Sequence, residues 1–264
     1  MNKIFSYYDK DVKETLHDHI EAGLDAVSRV DKAPIFRYIQ RIYSDIKNFN
    51  DLIRLIVVFH DIGKVFYQLN PLENKDHLSF LGHEILSTYV FKKFYDTYYK
   101  EDSLFECKFG LKDHKISIEE TLEFSILYHH HAMSLLDRLN HFSRDVIRVE
   151  RGVSLFGELL IEVGAFLSKK EREVFAITLN DLKEQVVEPN FVMEIKNYCE
   201  NNIKSSLWRE IWLNKDKKVK KFSLVLLSIL MVADNMAAQK NRKYSEGIFN
   251  EVLKEFYNYY LCPC

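Results

Sequence analysis

This sequence has little of what breaks helices and closes tight turns: eight glycines and four prolines in 264 residues. That scarcity excludes a many-stranded sheet with tight hairpins, because Gly and Pro supply the turn geometries such folds need. Neither charge is in marked excess. With 37 basic against 39 acidic residues the formal net charge is −2, which excludes coating of nucleic acid by bulk electrostatics and leaves only local basic stripes. No C-x-x-C pair exists among Cys107, Cys199, Cys262 and Cys264, so neither a zinc ribbon nor a secreted disulfide framework is indicated, and the terminal Cys-Pro-Cys reads as a tail. No basic segment followed by an apolar one opens the sequence. The longest apolar stretch, Phe222 to Ala233, is broken by serines and too short to span a bilayer. A soluble, cytoplasmic protein with no membrane partner is expected.

What is present is 47% hydrophobic and 29% charged, a balance that folds. Apolar residues recur at helical spacing over Val12 to Val30, Ile35 to Ile46, Leu52 to Phe66, Phe80 to Tyr99, Ile118 to Tyr128, Val153 to Leu167, Phe191 to Ile203, Phe222 to Ala238 and Ile248 to Tyr260. The expectation is an all-α helical bundle. Helix starts are signalled by Ser117 with Glu120 at capping-box spacing, by Asn180-Asp181, by Pro189-Asn190 and by Gly247. Loops are expected at Asn70 to Asp76, Cys107 to Lys115 and Asn214 to Lys221. None is long or bland enough to tether two domains, so residues 1–264 are expected to form one.

Ten histidines are present, several of them where a helix should bury hydrocarbon. The apolar run Leu52 to Phe59 leads straight into His60-Asp61-Ile62-Gly63-Lys64. Burying a carboxylate beside an imidazole is costly unless a cation or hydrogen bonds compensate. Adjacent helical residues project about 100° apart, so His60 and Asp61 can grip a metal along one helix edge, with Lys64 a turn further on. The dipeptide itself is weak, since His17-Asp18 repeats it without the buried approach. His83 opens His83-Glu84-Ile85-Leu86-Ser87; a lone histidine there is ordinarily a satisfied core or surface group. Phe124 to Tyr128 delivers the chain into His129-His130-His131, and the most hydrophobic segment, Phe222 to Ala233, ends on Asp234. Such a buried aspartate wants a metal, an arginine or a helix N-terminus. His17 and His19 sit two apart, so at most one faces a common centre.

Taken together, His60, Asp61, His83, His129, His130 and Asp234 have the character of imidazole and carboxylate ligands for divalent metal. The set exceeds what one tetrahedral ion needs, which favours two ions sharing Asp61 and hydrolytic chemistry.

In this order, His, His60-Asp61-Ile62-Gly63-Lys64, His83, His129-His130 and Asp234 resemble the HD superfamily of metal-dependent phosphohydrolases, which are all-helical. Within it, His60 to Lys64 with Phe66 and Gln68, His83 to Ser87, the doublet after Tyr128 and Ala233-Asp234-Asn235 are most similar to the stand-alone HD nuclease of type I CRISPR systems. The resemblance implies a nuclease, endo- or exonucleolytic, acting on single-stranded DNA and perhaps RNA in antiviral defence. Its implied partners are a separate CRISPR helicase subunit and a crRNA-guided surveillance complex. Carried over residue by residue, it gives His60, Asp61, Asp234 and His19 (His17 being the alternative) to one divalent metal ion. Asp61, His83, His129 and His130 go to the other, with Lys64 beside the reacting phosphate. Mg, Mn, Fe, Co and Ni are the metals considered. His131 leaves the register of the doublet open, and residues from about 140 to 221 match no motif.

For nucleic acid, the basic run Lys215, Lys217, Lys218, Lys220, Lys221 and the group Lys240, Arg242, Lys243 are candidate flanks of a groove, with solvated faces as the plainer account. Two rivals stand beside the nuclease: an HD-type nucleotide or cyclic-nucleotide phosphohydrolase using the same ligands, and a non-catalytic helical scaffold whose histidines store metal or satisfy one another.

Overall fold

The helix around which the others gather is the longest of those described. In the computed structural model, which describes residues 3–44, 46–70, 73, 75–101, 118–130, 135–142, 147–201, 213, 217–242 and 248–262, α11 (Lys217–Asn241) packs against α1 (Leu16–Val27), α2 (Pro34–Ile42), α3 (Phe49–Phe59), α5 (Ile118–Tyr128) and α12 (Ile248–Phe256). Its buried residues include Val219, Phe222, Ser223, Leu226, Leu227, Ile229, Leu230, Val232 and Ala233, a stripe at the helical repeat. By length and composition alone α11 is long and apolar enough to cross a membrane, a test that a buried core helix also passes. More than half of that stretch is buried against its neighbours, which accounts for its hydropathy.

The remaining helices are α4 (His83–Glu101), α6 (Leu135–His141), α7 (Val149–Ser154), α8 (Phe156–Gly164), α9 (Lys169–Gln185) and α10 (Phe191–Tyr198). Buried apolar side chains from most of these elements join in a single core cluster. In α3, Leu52, Ile53, Leu55, Ile56, Val57, Val58 and Phe59 are all buried. Each such side chain contributes roughly 1.5–3 kcal/mol by leaving water. Arg54 escapes this core sideways, donating to both carboxylate oxygens of Glu171 at 2.8 Å, and Glu171 in turn closes the capping box of α9 with Ser168.

Several boundaries differ from the sequence expectation, each for a local reason. Residues 12–15 are not helical: β1 (Phe5–Tyr8) and β2 (Lys13–Thr15) form an antiparallel hairpin, and Thr15 caps α1 by accepting from the Asp18 amide at 3.1 Å. The Leu52 to Phe66 helix ends at Phe59 and resumes as a 3-10 segment, Ile62–Tyr67, so His60 and Asp61 sit in a turn and not on a helix edge. Val153 to Leu167 is two helices broken at Leu155. Asn180-Asp181 starts nothing; both are exposed in the middle of α9, whose buried Glu171, Val174, Phe175, Thr178, Leu179 and Leu182 carry the periodicity. Asn190 does stand at the start of α10. Residues 217–221, expected as loop, are the first turns of α11. Ser117, Gly247, His131, Lys215, Lys243 and the 107–115 loop lie outside the described residues.

Candidate metal centre

The turn after α3 is fixed from both sides. The Gly63 amide donates to Ser87 Oγ on α4 at 2.9 Å. A Cβ on Gly63 would lie 2.1 Å from the His83 carbonyl oxygen, so only glycine lets the 3-10 segment press against the start of α4. Gly82, at φ +88, supplies the left-handed turn that launches α4 with His83 as its first residue.

Into this corner α1 brings His19, the turn brings His60 and Asp61, α4 brings His83, the end of α5 brings His129 and His130, and α11 brings Asp234. The seven side chains form two groups, His19 with His60, Asp61 and Asp234, and His83 with His129 and His130, with ligand atoms in each within 4.8 Å of one another. Asp61 joins them: its Oδ2 lies 3.4 Å from His19 Nε2 and 3.5 Å from His60 Nε2, while its Oδ1 lies 2.9 Å from His83 Nε2. Either group could hold a metal ion. Of the two N-terminal histidines, His19 is fully buried in the cluster, while the ring of His17 lies 4.8 Å from that of Phe166 with its Nδ1 3.2 Å from the Glu162 carbonyl.

Each imidazole is aimed by its other nitrogen. Nδ1 of His60, His83 and His129 donates to the carbonyls of Val57, Phe80 and Ile126 at 2.7, 2.6 and 2.6 Å. A carbonyl can only accept, so Nδ1 carries a proton and Nε2 is the atom that faces the centre. His19 is aimed by a carboxylate instead, with Nδ1 2.9 Å from Glu14 Oε1. That outer shell is the arrangement that orients histidine ligands on metals.

The inner atoms are the ones left without partners. Nε2 of His60, His83 and His129 and Oδ1 of Asp61 are buried and make no hydrogen bond of acceptable geometry. The His83–Asp61 approach at 2.9 Å is thus a contact without hydrogen-bond alignment. Buried polar atoms are rarely orphaned, and several converging on one point fit a cation. The charge states divide between the groups: burial opposes a charge on His19, but Asp234, Glu14 and Asp61 outweigh it and raise its imidazole to about 9, so a metal ion must displace that proton. Burial holds His129 well below the usual imidazole range, reinforced by His130 and His60, and burial with the neighbouring His83 pushes His130 down to about 3. Burial opposes ionisation of Asp61, but His60, Lys64 and His83 outweigh it and keep the carboxyl well below its ordinary range. His19 and His60 do the same for Asp234, against its own burial. Neutral imidazoles and ionised carboxylates are the forms that bind metal.

Lys64 Nζ rests on Asp61 Oδ2 at 2.5 Å and on Ser6 Oγ at 3.1 Å. It lines a cavity of about 320 Å3 together with His83, His130, Arg138, Arg242, Tyr7 and Phe80. Of the basic groups, Arg242 reaches this wall, held by Glu14 and lying 4.5 Å over the Tyr7 ring, whereas Lys240 is exposed and paired with Asp25. Lys217 to Lys221 begin α11, at least about 20 Å along the helix from Asp234 at 1.5 Å per residue.

Sequence reasoning did not find Glu14, Ser6, Glu84 or Arg138. Glu14 and Ser6 come from the hairpin, and Arg138 from a short helix with no motif. Glu84 stood in a quoted phrase, yet nothing in its spacing shows that it faces Arg138, 2.7 Å away. No family model, curated protein or solved structure matches this chain.

Proposed function

We propose that this chain is a divalent-metal-dependent phosphodiester hydrolase of the HD type, a nuclease that cuts single-stranded DNA and also accepts RNA. The observation that carries the proposal is the convergence of seven imidazole and carboxylate side chains, from separated stretches, with four of them (His60, Asp61, His83 and His129) each presenting a buried atom that makes no hydrogen bond. Bound there, two divalent cations supply the Lewis acidity that activates water and neutralises phosphate charge. The chain's own residues do the rest. Asp61 offers one carboxylate oxygen to each ligand group, Lys64 keeps a fixed positive charge at the cavity wall where negative charge develops, and Glu14 and the backbone carbonyls hold the imidazoles in one orientation. Arg242 and the rings of Tyr7 and Phe80 line the approach, the pairing of cation and aromatic faces that suits unpaired nucleotides. The resemblance of the His60 to Lys64 and His83 to Ser87 phrases extends the proposal to work beside a CRISPR helicase and a crRNA-guided complex.

A cavity of about 320 Å3 also has room for a single nucleotide, so hydrolysis of nucleotides or cyclic nucleotides is the second reading. One experiment separates them. Shortening of a single-stranded oligonucleotide with Mn2+ or Mg2+, abolished by Asp61→Ala, supports the nuclease. Turnover of free nucleotides with the strand untouched supports the rival, and no reaction on either sinks both.

A further inference from the structure

Arg138 is a charge the metal centre does not account for. It projects from α6, is only 2% exposed, and lines the cavity beside His83, His130 and Lys64. Among the described residues its ion-pair partner is Glu84, whose Oε1 lies 2.7 Å from one terminal nitrogen. None of its three guanidinium nitrogens makes a hydrogen bond of acceptable geometry. The pair therefore balances charge and leaves the donor fork unspent, an expensive state for a buried group.

The other two cations on this wall differ in that respect. Lys64 is engaged by Asp61 and Ser6, and Arg242 donates to Glu14 at 2.6 Å. Arg138 alone of these three makes no side-chain hydrogen bond of acceptable geometry. A guanidinium fork matches two oxygens of one phosphate, and the cavity it lines is walled by imidazoles of the second ligand group. Glu84 fits this role, since it offsets the buried charge at 2.7 Å without an aligned hydrogen bond to the fork.

We propose that Arg138 is a phosphate-binding residue: its guanidinium takes two oxygens of a substrate phosphate in this cavity, next to the reacting group. The proposal deepens the phosphohydrolase reading of the same site, yet its test needs no turnover. Inorganic phosphate is titrated into the full chain after chelator treatment, by calorimetry and by the side-chain Nε–H spectrum of 15N-arginine-labelled protein.

The wild type should bind phosphate and shift one Nε–H resonance, the one missing in Arg138→Lys. Arg138→Lys should bind roughly tenfold more weakly or worse, the scale of a charge-assisted hydrogen bond lost. Because removing Arg138 alone strands Glu84, the second variant is Arg138→Met with Glu84→Gln, which leaves no buried charge; it should lose phosphate binding while keeping the helical spectrum. Phosphate binding of wild-type strength in either variant, or no phosphate-dependent shift in the wild type, overturns the proposal. Phosphate binding through Arg138 in a protein that hydrolyses nothing would leave this proposal standing and remove the hydrolase. Hydrolysis abolished by Asp61→Ala, with phosphate indifferent to Arg138, would do the reverse.

Discussion

His83 Nε2 and Asp61 Oδ1 stand 2.9 Å apart without hydrogen-bond alignment, while His83 Nδ1 donates to the Phe80 carbonyl. Polar atoms left unpaired in a dry interior are costly. Nε2 of His60 and Nε2 of His129 are likewise buried without a hydrogen bond. The apparent defect becomes sense as a ligand set.

The first prediction concerns binding alone. Chelator-treated protein should take up two Mn2+ per chain by calorimetry, and each occupied site should stabilise the fold by about 2.7 kcal/mol at a hundred times its dissociation constant. Asp234→Asn should lose one ion and Asp61→Asn weaken both, because Asp61 faces both groups. No uptake above background, with no rise in melting temperature, would dismiss the metal centre.

Glu14 tests the outer shell. It touches no second-group residue, but its Oε1 fixes His19 and its Oε2 accepts from Arg242 at 2.6 Å. Glu14→Gln should keep the fold and lower metal affinity or strand cleavage roughly 10–100-fold, as for other carboxylates behind histidine ligands. Unchanged affinity and cleavage would show that His19 needs no such support.

Much of this centre was legible because its ligands interrupt apolar runs. Ile118–Tyr128 is the helix that periodicity predicts, and His129 follows it directly. His60 and Asp61 were legible as residues but not as geometry, since the turn that holds them depends on Gly63 meeting α4, a contact between segments that no local pattern carries. The hairpin was illegible for a related reason. Phe5 to Tyr8 shows no alternation, and its worth lies in where it sets Ser6 and Glu14. In α9 a polar Asn180-Asp181 resembled a start signal, although the buried stripe through Val174, Phe175, Thr178 and Leu179 runs straight past it. Intrinsic preference for turns lost there to packing.

Glu123 gives a pH dependence outside the metal site. Burial in α5 pushes its carboxyl up to about 8, against the hydrogen bond from Tyr198 OH at 2.7 Å, with Glu119 and Glu120 raising it and Lys92 lowering it. An acid whose folded pKa is raised binds its proton more tightly when folded. Its contribution is therefore whole below the unfolded value of 4.5 and is lost as pH rises towards 8, by about 1.4 kcal/mol per pH unit within that window. Glu123→Gln should flatten that part of the urea-stability profile and raise stability at pH 8. An unchanged slope would mean that Glu123 ionises in the fold as it does in water.

Gly63 joins stability to the site. A methyl group there would meet the His83 carbonyl at 2.1 Å, Leu86 Cβ at 2.8 Å and the Ser87 amide at 2.8 Å, all of them on a well-packed helix and none the end of a flexible side chain. The 3-10 segment and the start of α4 must separate to admit it, which costs at least the roughly 1–3 kcal/mol of ordinary overpacking and breaks the Gly63 to Ser87 hydrogen bond. His83 moves with α4 and leaves Asp61. Gly63→Ala should thus lower the denaturation midpoint and lose the ion held by His83, His129 and His130 before the one held by His19, His60 and Asp234. Equal weakening of both ions in a folded Gly63→Ala protein would contradict this, since the seam between the 3-10 segment and α4 carries His83 directly and reaches the first group only through the turn of His60 and Asp61.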